Sequence, residues 1–136
     1  MLLLLAGTLF AWFTVGNDYM RYLSNEGINP LETPCFYGAI GFLLSYLFSV
    51  YILFSRKEKQ KNLEKYLVLF LIAGTLFGWG NFVIELCKFY IFKGPKTSCS
   101  GYIVSTPFAT PCFYGSMLYL ISLTASILTF KKLKLN

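Results

Sequence analysis

The chain has 136 residues, of which 56% are hydrophobic, 19% aromatic and only 13% charged, and its formal net charge is +6. Its mean hydropathy is +0.59. A soluble globule of this length needs more polar surface than such a composition supplies, so the chain is predicted to lie in a membrane. The absence of histidine from the sequence excludes Ser-His and Cys-His nucleophile arrangements and most zinc sites.

Four apolar runs are each predicted to form a transmembrane helix. About 20 helical residues cross a hydrocarbon core, and an unpaired backbone group inside lipid is costly. The runs cover residues 1–15 with an extension to about residue 23, and then residues 36–54, 66–86 and 113–130. The first run lacks a basic segment and a convincing cleavage site, so it is expected to be a retained span rather than a signal peptide. The predicted fold is an all-α membrane protein.

Two blocks of the sequence occur twice. AGTLFAW at residues 6–12 is answered by AGTLFGW at residues 73–79, and TPCFYG occurs at residues 33–38 and again at 110–115. Such identity indicates that the chain contains a duplicated unit, and an internal repeat determines the architecture of a fold. The four predicted helices therefore form two tandem helical hairpins.

The repeat and the distribution of basic residues predict the domains and their orientation. The chain divides into a first repeat at residues 1–54, a basic linker at 55–65 and a second repeat at 66–136 with the longer outer loop. Eight of the twelve Lys and Arg residues lie in the linker and the C-terminal tail, which face the cytoplasm by the positive-inside rule. Both termini are then cytoplasmic, both TPCFYG motifs face outward, and the hairpins are parallel repeats. Topology and anionic lipid headgroups explain this positive charge, so nucleic-acid binding is not predicted.

An acid followed three residues later by a base recurs near the outer end of the first and third helices. Asp18 and Arg21 correspond to Glu85 and Lys88. One interpretation is an interfacial ion pair that marks a helix end. The functional interpretation is that Asp18 and Glu85 line an outward-facing polar cavity and bind substrate, because acids inside a membrane are functional candidates by default.

Each TPCFYG motif is predicted to open a helix, with its threonine as the cap and its proline in the first turn. The next residue is Cys35 in the first copy and Cys112 in the second. A thiolate beside the unpaired amides of a first turn meets the positive end of the helix dipole, so these two are predicted to be the reactive thiols. The alternative is that a small residue is needed where helices cross. Tyr37 and Tyr114 are candidate substrate-binding residues, or else part of an outer aromatic belt.

All four cysteines are expected at or beyond the outer ends of the helices, where most cells are oxidising. They are Cys35, Cys87, Cys99 and Cys112. Four cysteines allow three full pairings, and the sequence does not select among them. Binding of a soft metal ion such as Cu(I) by the same residues is an alternative.

Four helices with cytoplasmic termini, a Pro-Cys at the start of the second helix and further cysteines before the fourth resemble the DsbB type of disulfide-forming oxidoreductases, and more distantly the vitamin K epoxide reductases. The resemblance implies electron transfer from a thioredoxin-like partner through cysteine pairs to a quinone. The Cys-x-x-Cys of that family is CFYG at residues 35–38 here, and its following basic residue is absent. Cys35 would therefore pair elsewhere, for instance with Cys112, while Cys99 exchanges from the loop.

Two other classes of function stay open. A transporter or channel-like subunit for a small solute or metal ion would form a central site between the repeats, often as a homo-oligomer. Hydroxyl residues that would line its polar seams are Ser45, Ser49, Ser122, Thr124 and Ser126. A Pro or Gly that breaks a helix near the bilayer midplane is the usual sign of a transported substrate's site. The predicted helices have no such break, which argues against transport. The other class is an accessory subunit of a larger membrane complex.

The sequence thus favours thiol–disulfide exchange at the outer face over transport and over a purely structural role. Its expected partners are the lipid bilayer and a thioredoxin-like or other membrane protein.

Overall fold

The computed structural model describes residues 1–92, 103 and 105–135. Four long helices account for most of these residues, which confirms the all-α prediction. They are α1 (Leu2–Leu23), α2 (Pro34–Phe54), α3 (Lys57–Tyr90) and α4 (Pro111–Leu135). Short 3-10 turns at Pro30–Glu32 and Pro107–Ala109 precede α2 and α4.

The helices run alternately up and down in a bundle. α1 packs against α2 and α3 against α4, and the two pairs meet through α2 with α3 and α1 with α4. The TPCFYG motifs, which begin α2 and α4, lie at one end with the last turns of α1 and α3; we call this the motif end. The junction between α2 and α3 lies at the other end, with the bases of α3 and α4, and we call this the basic end.

Three of the helices, α2, α3 and α4, are long and apolar enough to cross a membrane by length and composition. α1 has 22 residues but is not one of these three among the described helices. Its last turns carry Asn17, Asp18 and Arg21, which lower its hydropathy. The structure therefore supports a membrane protein, and a fourth span remains a prediction.

The largest difference from the predicted helix boundaries is in α3. This helix begins at Lys57 rather than near Tyr66, so most of the predicted linker is helical. Lys, Glu and Gln are good helix formers, although they are not apolar. The side-chain amide of Gln60 donates to the carbonyl oxygens of Ile52 and Ser55, at 3.2 and 3.0 Å. These bonds satisfy carbonyls at the end of α2 and tie the two helices together.

α1 ends where the sequence predicted. After Leu23 the chain turns through Asn25, whose φ of 57° lies in the left-handed region that Asn tolerates better than most residues. The amide of Glu26 donates to the carbonyl of Arg21 at 3.1 Å, and the amide of Asn25 donates to that of Tyr22 at 3.1 Å. This pair of bonds is the Schellman pattern, which closes a helix by satisfying its last carbonyls.

Positions matched by the sequence repeat make matched contacts between helices. Gly7 of α1 faces the ring of Phe42 in α2, and Gly74 of α3 faces the ring of Tyr119 in α4; a Cβ at either glycine would overlap the ring. The two rings stack on each other with their centroids 3.9 Å apart. The two helix pairs therefore meet through these rings in the core of the bundle.

Candidate functional site

The cysteines of the two TPCFYG motifs lie side by side at the motif end. Sγ of Cys35 is 3.7 Å from Sγ of Cys112, and both residues are half-buried. Each follows the proline that begins its helix, so both sulfurs lie in a first helical turn, as predicted. Cys112 is disulfide-bonded. The sulfur of Cys35 therefore contacts a sulfur that belongs to a disulfide.

A cleft of about 60 Å³ lies beside these two sulfurs, among all four helices. We call it the cysteine cleft. Its walls come largely from matched positions of the repeat, which are Phe10 with Phe77, Thr14 with Asn81, Gly38 with Gly115 and Phe42 with Tyr119. Most of this lining is apolar, so the sulfurs face a largely non-aqueous space. The TPCFYG motifs identified the two cysteines but not the aromatic residues of the cleft walls. Those residues could have been found from the sequence only by aligning the two repeats and comparing matched positions.

Tyr119 holds α4 against α2 at the floor of the cleft. Its hydroxyl donates to the carbonyl oxygen of Gly38 at 3.0 Å. A Cβ at Gly41 would overlap that hydroxyl, so the glycine permits the approach. A buried tyrosine hydroxyl needs such a partner, and here the bond fixes the spacing of the two helices at Gly38, about one turn from Cys35.

The predicted acids Asp18 and Glu85 lie at the motif end but outside the lining of the cysteine cleft. Both are buried, with 3% and 9% of their surface exposed. The hydroxyl of Thr110 lies 3.4 Å from Oε2 of Glu85 and 2.8 Å from the carbonyl oxygen of Pro107, so its bond to the carboxylate is the weaker one. A carboxylate beside the start of α4 is favoured by the helix dipole. The described lining of the cysteine cleft therefore contains neither acid. Asp18 and Glu85 are instead buried within the bundle.

The predicted threonine caps differ between the two motifs. Thr110 accepts a hydrogen bond from the amide of Phe113 at 3.3 Å, which confirms the cap on α4. Thr33 is the N-cap residue of α2, as predicted, but its side chain makes no capping bond within the described residues. Its hydroxyl instead donates to the carbonyl oxygen of Pro30 at 2.7 Å and closes the preceding turn.

The remaining predicted site residues do not join the cleft. Tyr37 and Tyr114 are 58% and 51% exposed. The ring of Tyr114 packs edge-to-face on Phe10, with centroids 6.3 Å apart. Cys87 is a free, half-buried thiol in the last turn of α3 and is not part of the cleft lining. Cys99 lies outside the described residues.

No family model matches the chain, and neither a curated protein nor a solved structure is similar to it. Within residues 1–92, 103 and 105–135, no group of three or more Cys, Asp or Glu residues is arranged to hold a metal ion. The class is therefore defined by the fold and the site: a helical membrane protein in which two motif cysteines meet beside an apolar cleft.

Proposed function

We propose that the protein is a membrane thiol–disulfide oxidoreductase that acts at the outer face. The observation that carries this proposal is the 3.7 Å separation between Sγ of Cys35 and Sγ of the disulfide-bonded Cys112. Thiol–disulfide exchange needs an accessible thiolate within reach of a disulfide sulfur. Two sulfurs in van der Waals contact meet that requirement without rearrangement of the helices.

In the proposed exchange, the thiolate of Cys35 attacks Sγ of Cys112. A Cys35–Cys112 bond forms, and the former partner of Cys112 leaves as a thiolate and takes up a proton; we propose Cys99 as that partner. The step moves a disulfide without net oxidation. A dithiol of a thioredoxin-like partner would deliver two electrons by the same kind of exchange, and a membrane quinone, as the DsbB resemblance implies, would accept those two electrons with two protons.

The position of the sulfurs supports this chemistry. Each lies in a first helical turn, where unpaired amides and the helix dipole stabilise a thiolate. The nearest disulfide sulfur to Cys35 is Sγ of Cys112, at 3.7 Å. A purely structural need for small residues at a helix crossing would not require sulfur at both positions.

The fold is proposed to consist of two parallel hairpin repeats whose four helices all cross the bilayer, with both termini in the cytoplasm. The matched contacts of Gly7 with Phe42 and of Gly74 with Tyr119 support the repeat. Burial of Asp18 within the bundle makes a transmembrane α1 acceptable, because this acid is shielded from lipid. Exposed bases at the basic end support the orientation.

Thiol labelling with a mass-tagged maleimide, with and without prior reduction, tests the redox proposal. The wild-type protein is expected to gain label after reduction, and Cys112→Ser is expected to lose most of that gain. Cys35→Ser should keep the disulfide of Cys112 but lose its exchange with added thiols. Cys87→Ser is the matched control, because Cys87 is a free thiol outside the cleft, and it should behave like the wild type. Four permanently reduced, unreactive thiols would overturn the proposal.

A second candidate function, transport of a small solute, is favoured by a second cavity at the basic end. Transport would require a path between this cavity and the cysteine cleft, which is lined by the stacked rings of Phe42 and Tyr119. Solute flux through proteoliposomes that persists after all four cysteines are replaced by serine would favour transport. Absence of both flux and thiol exchange would leave the role of an accessory subunit.

A further inference from the structure

The cavity at the basic end has a volume of about 290 Å³ and lies among all four helices. We call it the inner cavity. Unlike the cysteine cleft, it has many polar groups in its walls, which are Ser49, Gln60, Glu64, Ser122, Ser126 and Thr129. None of the described residues that line it is Lys or Arg, although exposed bases surround this end of the bundle. The rest of its wall is mainly aliphatic.

Glu64 is the acidic residue of this cavity. Only 6% of its surface is exposed, and Ser126 of α4 lines the same cavity. A buried carboxylate requires a positive charge or a proton. A positive charge that acts on it is the terminal ammonium of Met1, but that residue is 52% exposed, so water screens much of its effect. The inner cavity therefore presents a carboxylate that a buried cation would complement better.

Ser122 supplies an independent indication of a ligand. It corresponds in the repeat to Ser45, whose hydroxyl donates to the carbonyl of Gly41 at 2.8 Å. The hydroxyl of Ser122 has no hydrogen-bond partner among the described residues, although Ser122 is only 3% exposed and lines the cavity. Buried polar groups are normally satisfied, so an unsatisfied one in a cavity wall indicates a missing partner.

We propose that the inner cavity binds a small organic cation, namely an alkylammonium ion of a few carbon atoms. Its ammonium group would donate to Glu64, Ser122 and Ser126, since an ammonium carries three donors and each of these side chains accepts. Its alkyl part would pack on aliphatic wall residues such as Leu4 and Leu67. A concave space that combines apolar walls with several convergent polar groups is typical of small-molecule sites. A bare metal ion would leave the aliphatic wall and most of the volume unused.

Thermal unfolding of the purified full chain in detergent, followed by tryptophan fluorescence, tests this proposal with propylammonium chloride as the probe and NaCl at equal ionic strength as the reference. Propylammonium is expected to raise the Tm in a saturable manner, because a ligand that binds only the folded state stabilises it. Glu64→Gln should abolish the rise. Glu58→Gln is the matched control, because Glu58 is an exposed acid of the first turn of the same helix, and it should keep the rise.

Ser122→Ala keeps the test decisive if the Glu64 variant fails to fold. Because its hydroxyl makes no bond within the described residues, its removal should leave the Tm of the unliganded protein nearly unchanged. Equilibrium dialysis with labelled propylamine should then show affinity about tenfold weaker than that of the wild type, for the loss of one hydrogen bond to a charged group. An equal saturable shift with NaCl, or equal propylamine affinity in the wild type and both cavity variants, would overturn the proposal. Neither result depends on the cysteines.

Discussion

Tyr119 makes contacts that Phe42, its counterpart in the other repeat, cannot make. Both rings lie at the floor of the cysteine cleft and stack on each other. Only the tyrosine has a hydroxyl, which bonds to Gly38 of the opposite helix pair. The two halves of the cleft are therefore alike in shape but differ in how they are held together.

Removal of this hydroxyl by Tyr119→Phe is expected to lower the free energy of unfolding by about 1 kcal/mol, the net contribution of a typical buried hydrogen bond. The ring stack with Phe42 would stay. The measurement is the shift of the unfolding midpoint in detergent. Tyr114→Phe is the control, because Tyr114 is 51% exposed. An equal shift in both variants would show that the bond to Gly38 contributes nothing.

At the level of single residues, the sequence predicted the meeting of Cys35 and Cys112 because the same motif begins both helices at the same end. It did not predict the burial of Asp18 and Glu85. Whether a side chain near a helix end faces water or the bundle depends on the rotation of that helix about its axis. Packing against the neighbouring helices determines that rotation, and hydropathy alone does not report it.

At the level of helices, glycines determine how closely the pairs pack. Gly7 and Gly74 each face an aromatic ring, and a Cβ at Gly78 would lie 3.1 Å from the hydroxyl oxygen of Ser116. Without a hydrophobic driving force between helices in lipid, close packing over small residues is a main source of association. The repeated AGTLF block therefore matters as a packing surface.

Gly74→Ala is expected to destabilise the protein by about 1–3 kcal/mol, because the added methyl group would overlap the ring of Tyr119 and force α3 and α4 apart. Gly80→Ala in the same helix is the control, since a Cβ there meets nothing within 4 Å. It should be neutral or slightly stabilising, because Ala has the higher helix propensity. Unfolding midpoints of the two variants provide the comparison. If Gly80→Ala proved the more harmful, the helix contact would not be the cause.

The apolar runs located the helices but not their full lengths. α3 starts at Lys57 and α4 continues past Phe130 to Leu135, in both cases through basic segments. Hydropathy reports the portion of a helix that suits lipid, whereas helix propensity and contacts such as those of Gln60 determine where the helix ends. The predicted spans were therefore shorter than the helices that contain them.

At the scale of the whole molecule, the bundle has chemically different ends. The motif end holds the sulfurs and an apolar cleft, while the basic end holds a cavity whose walls contain several polar side chains, Glu64 among them. A bilayer with an oxidising and a reducing side would act on these ends differently. The proposed redox role therefore depends on which end faces outward.

Labelling of single cysteines introduced into a protein without its own four cysteines tests this orientation. In intact cells, a membrane-impermeant maleimide is expected to label Glu26→Cys. The same reagent is expected to label Leu2→Cys and Glu58→Cys only after the cells are permeabilised. Glu26 lies in the loop after α1. Leu2 is the first residue of α1, and Glu58 lies in the first turn of α3. The physical reason is the retention of basic segments on the cytoplasmic side.

The same three positions test the fourth span, because Leu2 and Glu26 lie on opposite sides only if α1 crosses the bilayer. Equal labelling of Leu2→Cys and Glu26→Cys in intact cells would mean that α1 does not cross, and the bundle would then be a three-span protein. Labelling of Glu58→Cys but not of Glu26→Cys in intact cells would show that the orientation is opposite to the predicted one. Cys35 and Cys112 would then face the cytoplasm, where thiols are kept reduced, and sustained disulfide exchange between them would lose its oxidising compartment.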